Sequence, residues 1–289
     1  MPEYEWQHYL PEVYLKQFSA TKESKIWRFD EQESVPKSVR SQCAAFDFYS
    51  STDRENTEKM FQQMEDAYGR ILMKLRSGRP HTPKNNFGLI LFMLQLHCRN
   101  VVYENLTTKE NVDAYRIRFQ CLRDLMGDAN APLSDQQFLD RWKVQLLKCD
   151  DPSGLVTSDN PSLFFTLDEI RLHLVMMPVT PSLCAVAYDS RFIVAIGDHL
   201  SVEDGSLLNA YQVKHCFKCL FTASELRLDQ QVFIRQEWNE RDNPIGCVDE
   251  QAWTPNLLLF PDGNRFRFLL KVETTGKSPS SESNLYGDK

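Results

Sequence analysis

The sequence predicts an α+β protein in which a helical middle segment packs on a mixed, mostly C-terminal β-sheet. Three observations lead there. From Glu58 to Leu75, the residues Met60, Phe61, Met64, Ala67, Tyr68, Ile71, Leu72 and Leu75 recur at the three-and-four spacing of one helical face. The run FGLILFMLQLHCRNVV (87–102) is apolar on nearly every side, as a buried helix is. After CDDPSG (149–154), β-branched and aromatic runs alternate with Pro, Gly and Asp, the pattern of short strands and turns.

Taken in order, the opening QHYLPEVYLKQF (7–18) places Tyr14, Leu15 and Phe18 on a helical face, with Pro11 suited to the first turn. KIWRFDEQES (25–34) reads as a strand entering a polar turn, and AAFDFYS (44–50) as a short aromatic segment before a charged helix start. The helix from Glu58 ends at SGRP. Two more helices are expected after the buried one, over 109–126 and 134–148, the second opened by a Ser134/Gln137 capping box. LVTSDNPSLFF, IRLHLVMMPVT and LCAVAYDSRFIVAIG are strand-like, and 206–224 reads as the last helix. NLLLFPDGNRFRFLLKV (256–272) suggests a hairpin about Pro-Asp-Gly-Asn, whose outer strand offers a sheet edge to a partner. The composition of 274–289 is that of a disordered tail.

With 42% hydrophobic and 25% charged residues, the chain has the balance of a globular protein able to bury a core. No apolar run reaches the ~18 residues that cross a bilayer, and the acidic, aromatic N-terminus lacks the form of a signal peptide. The expectation is a cytoplasmic protein without a membrane segment. A formal net charge of −7 gives no strong nucleic-acid signal. Eight scattered cysteines are read as free core thiols. That includes Cys216 and Cys219 of HCFKC (215–219), for which no second ligand pair follows. The common phosphate-loop, dinucleotide, nucleophile-elbow and zincin motifs are absent, so no cofactor is evident.

The polar residues that stand out are few. TSDNP (157–161) ends a strand with short polar side chains at a reversal. Asp159 there is either an Asx-turn residue or a metal ligand or general base held rigid by the sheet. Gln95 and Arg99 share one face of the buried helix, where an arginine needs a carboxylate, a carbonyl or an anionic ligand. Glu58 and Glu65 lie two turns apart on one helix. His8 gains interest only in company with an acid.

These stretches together resemble a large, mainly microbial family catalogued as domain of unknown function forty-two thirty-eight. His8, Tyr9, Pro11, Tyr14, Leu15 and Phe18 match its opening motif, His-Tyr-x-Pro-x-x-Tyr-Leu-x-x-Phe. Asp47, Phe48 and Tyr49 match an Asp-Phe-Tyr segment, and Thr157 to Pro161 match its Thr-Ser-Asp-x-Pro. Glu65, Gln95, Arg99 and Asn209 fall at its further polar positions. The resemblance implies a core over 1–225, divided into a motif element (1–50), a helical segment (55–148) and a strand-rich segment (154–225), with an extension over 226–273. It also implies that His8, Glu65, Gln95, Arg99, Asp159, Asn160 and Asn209 form a set.

Two readings of that set stand. In the first, the protein is a hydrolase of a phosphate-containing substrate, a nuclease among the options. His8, Asp159 and Glu65 do the chemistry, a divalent metal sits on the two acids, and Gln95, Arg99, Asn160 and Asn209 hold the substrate. In the second, the same residues bind a small anionic ligand without catalysis, or knit the N-terminal element to the sheet.

Overall fold

A computed structural model of the chain describes residues 6–19, 24–30, 33–46, 54–76, 82–99, 111–127, 134–167, 171–239, 257–259 and 266–272. The Asp47–Tyr49 segment, the Pro-Asp-Gly-Asn turn and the tail from 274 lie outside them.

The centre is a six-stranded mixed sheet. Strands β5 (Trp142–Cys149), β9 (Leu183–Asp189), β8 (Leu174–Thr180) and β7 (Leu163–Thr166) run antiparallel in that order. β11 (His199–Leu200) joins one edge and β13 (Leu257–Leu259) the other, both in parallel register. Successive residues of a strand face opposite sides, and both sides here are covered. Phe164, Val175, Met177, Ala185 and Ala187 face a large core with the helices, while Leu163, Phe165, Leu174, Met176 and Val186 face a second one with Leu208, Phe266 and Phe268.

The helical layer is α2 (Arg54–Arg76), α3 (Pro83–Cys98), α4 (Asn111–Met126) and α5 (Asp135–Arg141). Thr82 caps α3 by accepting from the Asn85 amide, with Pro83 at the first position, where no helical bond is lost. Leu89, Ile90, Phe92, Met93, Leu94 and Leu96 are all buried, the all-round burial its sequence predicts. Tyr68 of α2 stacks on Phe92 with ring centroids 3.7 Å apart.

The N-terminal motif folds as β1 (Trp6–His8), the short α1 (Glu12–Leu15) and a 3-10 turn over Lys16–Phe18. β1 pairs with β4 (Ala44–Phe46). β2 (Lys25–Phe29) and β3 (Ser34–Ser38) join β12 (Leu220–Thr222) and β6 (Thr157–Ser158) in a four-stranded sheet of order β3-β2-β12-β6. Residues 25–38 are thereby hydrogen-bonded into a sheet completed near residue 222.

Three expectations are corrected. The predicted 134–148 helix stops at Arg141: the Ser134/Gln137 capping box forms, but WKVQLLKC pairs with β9 along seven register positions. Phe138, Trp142 and Leu146 keep helical spacing while Trp142, Val144 and Leu146 alternate, so the local pattern is ambiguous and tertiary pairing decides. The 206–224 helix is really α6 (Val202–His215), opened by a Ser201/Asp204 capping box, and Leu220–Thr222 is strand. A further helix, α7 (Leu228–Asn239), follows. The two strands read as a hairpin do not pair with each other: β13 adds to β7, and β14 (Leu269–Val272) adds antiparallel to β10 (Ile193–Ile196). The first run extends the central sheet and the second makes a two-stranded sheet with β10, so residues beyond 225 enter both the central sheet and the second core.

Candidate functional site

The polar residues singled out in the sequence do not all meet: Asp159 and Asn160 lie in TSDNP, and each member of that segment is committed to a partner. Tyr14 of α1, fully buried, donates its hydroxyl hydrogen to the Pro178 carbonyl at 2.7 Å and meets Thr157 Oγ1 at 2.6 Å. Ser158 Oγ donates to Gln212 Oε1 of α6 (2.7 Å), and Gln212 Nε2 donates to the Pro161 carbonyl (2.8 Å). Asn160 Nδ2 donates to the His215 carbonyl at the end of α6 (3.0 Å), and its Oδ1 lies 3.2 Å from His97 Nδ1 of α3.

Asp159 sits at the middle, 1% exposed. Its Oδ1 accepts the Phe217 amide at 2.8 Å and its Oδ2 the Lys218 amide at 2.7 Å, while its own amide donates to the Cys219 carbonyl at 3.2 Å. Burial pushes its carboxyl up to about 6, against the pull of those amides and of Lys218. It is an Asx-type cap on a neighbouring loop, which ends α6 and aims the chain into β12.

A second cluster lies at the N-terminal motif. Arg99, 3% exposed at the end of α3, donates from Nη1 to Glu65 Oε1 of α2 at 2.8 Å and from Nη2 to the His8 carbonyl. Its guanidinium carbon stands 4.2 Å from the Phe61 ring centroid. Thus the backbone of His8 meets Arg99, while its ring Nε2 lies 3.0 Å from the Arg40 carbonyl and 3.8 Å from Glu12 Oε1. Of the three partners expected for the arginine (a carboxylate, a carbonyl or an anionic ligand), the chain itself supplies the first two.

Gln95 is fully buried, and neither its Nε2 nor its Oε1 has a hydrogen-bond partner among the described residues. An unpaired buried amide costs free energy that an apolar side chain of similar size does not. Gln95→Leu is therefore expected to raise stability in urea unfolding by about 1–2 kcal/mol. A loss of similar size would mean that the amide is paired through something held in the core.

Asn209 belongs to neither cluster. From α6 its Oδ1 accepts the Val156 amide at 2.9 Å and its Nδ2 donates to the Gly154 carbonyl at 3.1 Å. It also lines a cavity of about 520 Å³ between α6, α7 and the 151–156 loop. Its other walls mix apolar residues (Val156, Val202, Phe233 and Ile234 among them) with Ser153, Ser206 and Gln230 and with the charged Asp151, Arg227 and Asp229. A second hollow of about 560 Å³ lies against Lys148, Thr180, Ser182 and the pair Asp150–His199, whose Oδ1 and Nδ1 are 2.9 Å apart.

Sequence reasoning missed His97 and Gln212. Burial holds His97 down at about 4, assisted by Arg118 and His215 and opposed by Asn160, so near neutrality the ring is uncharged and its Nδ1–H donates to Asn160. Gln212 lies one turn beyond Asn209 on the same helix face, a spacing visible in the sequence. Among the described residues no group of three or more His, Cys, Asp or Glu side chains is placed to hold a metal ion. No described helix is long and apolar enough to cross a membrane.

The fold and this hub define an α+β core in which one strand-end segment fastens α1, α3 and α6. The family model described as Protein of unknown function (DUF4238) matches residues 6–225, and the chain belongs to that family. No curated protein and no solved structure matches it.

Proposed function

We propose that the protein is a ligand-binding module whose shared polar residues hold the scaffold, and that its ligand occupies the cavity beside Asn209. The observation that carries this reading is the commitment of polar atoms. Both Asp159 oxygens accept backbone amides, and Arg99 is spent on Glu65 and the His8 carbonyl. Asn209, by contrast, reaches a cavity of about 520 Å³, within the range of small-molecule sites. Its side chain retains one N–H and one lone pair beyond the two bonds it makes to the loop. Asp151 and Asp229 outnumber Arg227, which already pairs with Asp229 at 3.0 Å, so the cavity favours an uncharged, mainly apolar molecule with one hydrogen-bonding edge over the anion expected from sequence. α7 lies beyond the family match, so part of the wall is this chain's own.

Indole is a suitable probe. Titrated into the full chain, it should shift the amide resonances of Val156, Val202, Asn209 and Phe233, and Ser206→Trp, an exposed substitution that fills the cavity, should abolish the shifts. Binding that survives Ser206→Trp, or no response at these residues, overturns the proposal.

The hydrolytic reading draws its support from other residues than those expected. The Asp150–His199 pair opens on the second hollow beside Lys148 and two hydroxyls, the components of acid–base chemistry on an anionic ester. Under that reading His199→Ala abolishes turnover of bis(p-nitrophenyl) phosphate and Asp159→Asn does not; under the binding reading the wild-type protein turns over none.

A further inference from the structure

Val202, Ser206 and Asn209 follow one another along α6 at helical spacing, and all three line the cavity of about 520 Å³. Three charged side chains line it as well, and two of them balance each other. Arg227 Nε lies 3.3 Å from Asp229 Oδ1 and its Nη2 3.0 Å from Oδ2, with both side chains well exposed. The same Nη2 reaches Ser153 Oγ at 3.3 Å. Asp151 is therefore the surplus charge of the lining.

The Asp151 carboxylate is oriented by its surroundings. Its Oδ1 accepts the Ser153 amide at 2.8 Å, which fixes the side chain on its own loop. A Cβ at Gly205 would stand 3.4 Å from the Asp151 Cβ and 4.0 Å from Oδ2. The carboxylate thus lies against α6 at a position where the helix carries no side chain. Among the described residues no donor meets its Oδ2, and no Lys, Arg or His pairs with it. From Gly205 to Asn209 the helix advances four residues, about 6 Å. A ring that meets the Asn209 amide can extend a short arm to Asp151.

We propose that the ligand of this cavity, on the reading given above and resting on it, is an arylalkylamine. Its uncharged, mainly apolar ring packs on Val156, Phe233 and Ile234 and turns its polar edge to Asn209. A primary ammonium on a two-carbon arm donates to Asp151 Oδ2, the oxygen that the loop leaves open. Because Asp151 is only partly buried, the ammonium keeps part of its water while the ring gives up its own. An anionic arm would meet the same carboxylate with repulsion, and the net charge of −7 on the chain adds to that discrimination.

The test is calorimetric titration of the full chain with tryptamine, 3-propylindole and indole-3-propionate, which share one ring and differ in the charge of the arm. Tryptamine should bind about fivefold tighter than 3-propylindole, the gain of one ion pair at a partly exposed carboxylate. Indole-3-propionate should bind weakest. The advantage of tryptamine should shrink at high salt and vanish in Asp151→Asn, whose side-chain oxygen can still accept the Ser153 amide. If 3-propylindole binds and tryptamine binds no tighter, or if Asp151→Asn keeps the advantage, the amine assignment fails while the cavity reading stands. If none of the three binds, both fail. The wild-type series decides between these outcomes even if the variant does not fold.

Discussion

Replacing Asp159 with alanine is expected to cost about 3–5 kcal/mol of unfolding free energy in urea at pH 7, enough to threaten a domain of ordinary stability. Two amides that now donate to a buried carboxylate, those of Phe217 and Lys218, would lose their acceptor where water does not easily replace it. The loss also has a characteristic pH dependence. The carboxyl stands at about 6 in the folded chain, above the ~3.9 of an unfolded aspartate. Between those values the folded state binds more protons than the unfolded one, so stability falls as pH rises. The contribution is full below about pH 4 and is lost through about pH 6, and a shift of this size corresponds to roughly 2–3 kcal/mol. The gap between wild type and Asp159→Ala should therefore be wider at pH 4 than at pH 7. A gap that narrows toward acid would mean that the carboxylate is stabilised by its charge, as beside a cation or a metal, and would count against the role assigned to it.

The second large effect is expected at Arg99. Its side chain joins α2 to the first strand through Glu65 and the His8 carbonyl while covering Phe61. Arg99→Ala should cost about 3 kcal/mol, and Arg99→Lys about half as much, because an ammonium keeps the charge but not the planar fork. Glu65→Gln alone should cost less, since the Glu65 side chain is 26% exposed and water can take its place. A double-mutant cycle between Arg99 and Glu65 should give a coupling of about 1–2 kcal/mol. Coupling near zero would separate the two residues and leave the arginine available to a ligand.

Where local pattern and tertiary structure agree, the fold could be read from the chain. The apolar stripe of α2, the all-round burial of α3 and the Ser134 cap are local features, and each forms as expected. The failures share a cause. A capping box marks where a helix begins and not where it ends, so local pattern alone carries α5 on through WKVQLLKC, which pairs instead with β9. The end of α6 is likewise set by Asp159, which lies far away in the chain. The polar residues were recognisable by type: an arginine on an apolar helix, an aspartate at a strand end. Their partners were not, because the His8 carbonyl, the amides of 217 and 218 and the loop bonds of Asn209 are backbone groups that no side-chain pattern announces.

The most direct measurement is native-state hydrogen exchange at the amides of Phe217 and Lys218 in the wild-type chain. If both Asp159 oxygens are occupied as scaffold, these two protons exchange with opening free energies close to those of the buried turns of α6, although they lie in a loop. Exchange as fast as that of an exposed loop would mean that the carboxylate is free to meet a ligand or a metal, and the scaffold account of the motif would be wrong.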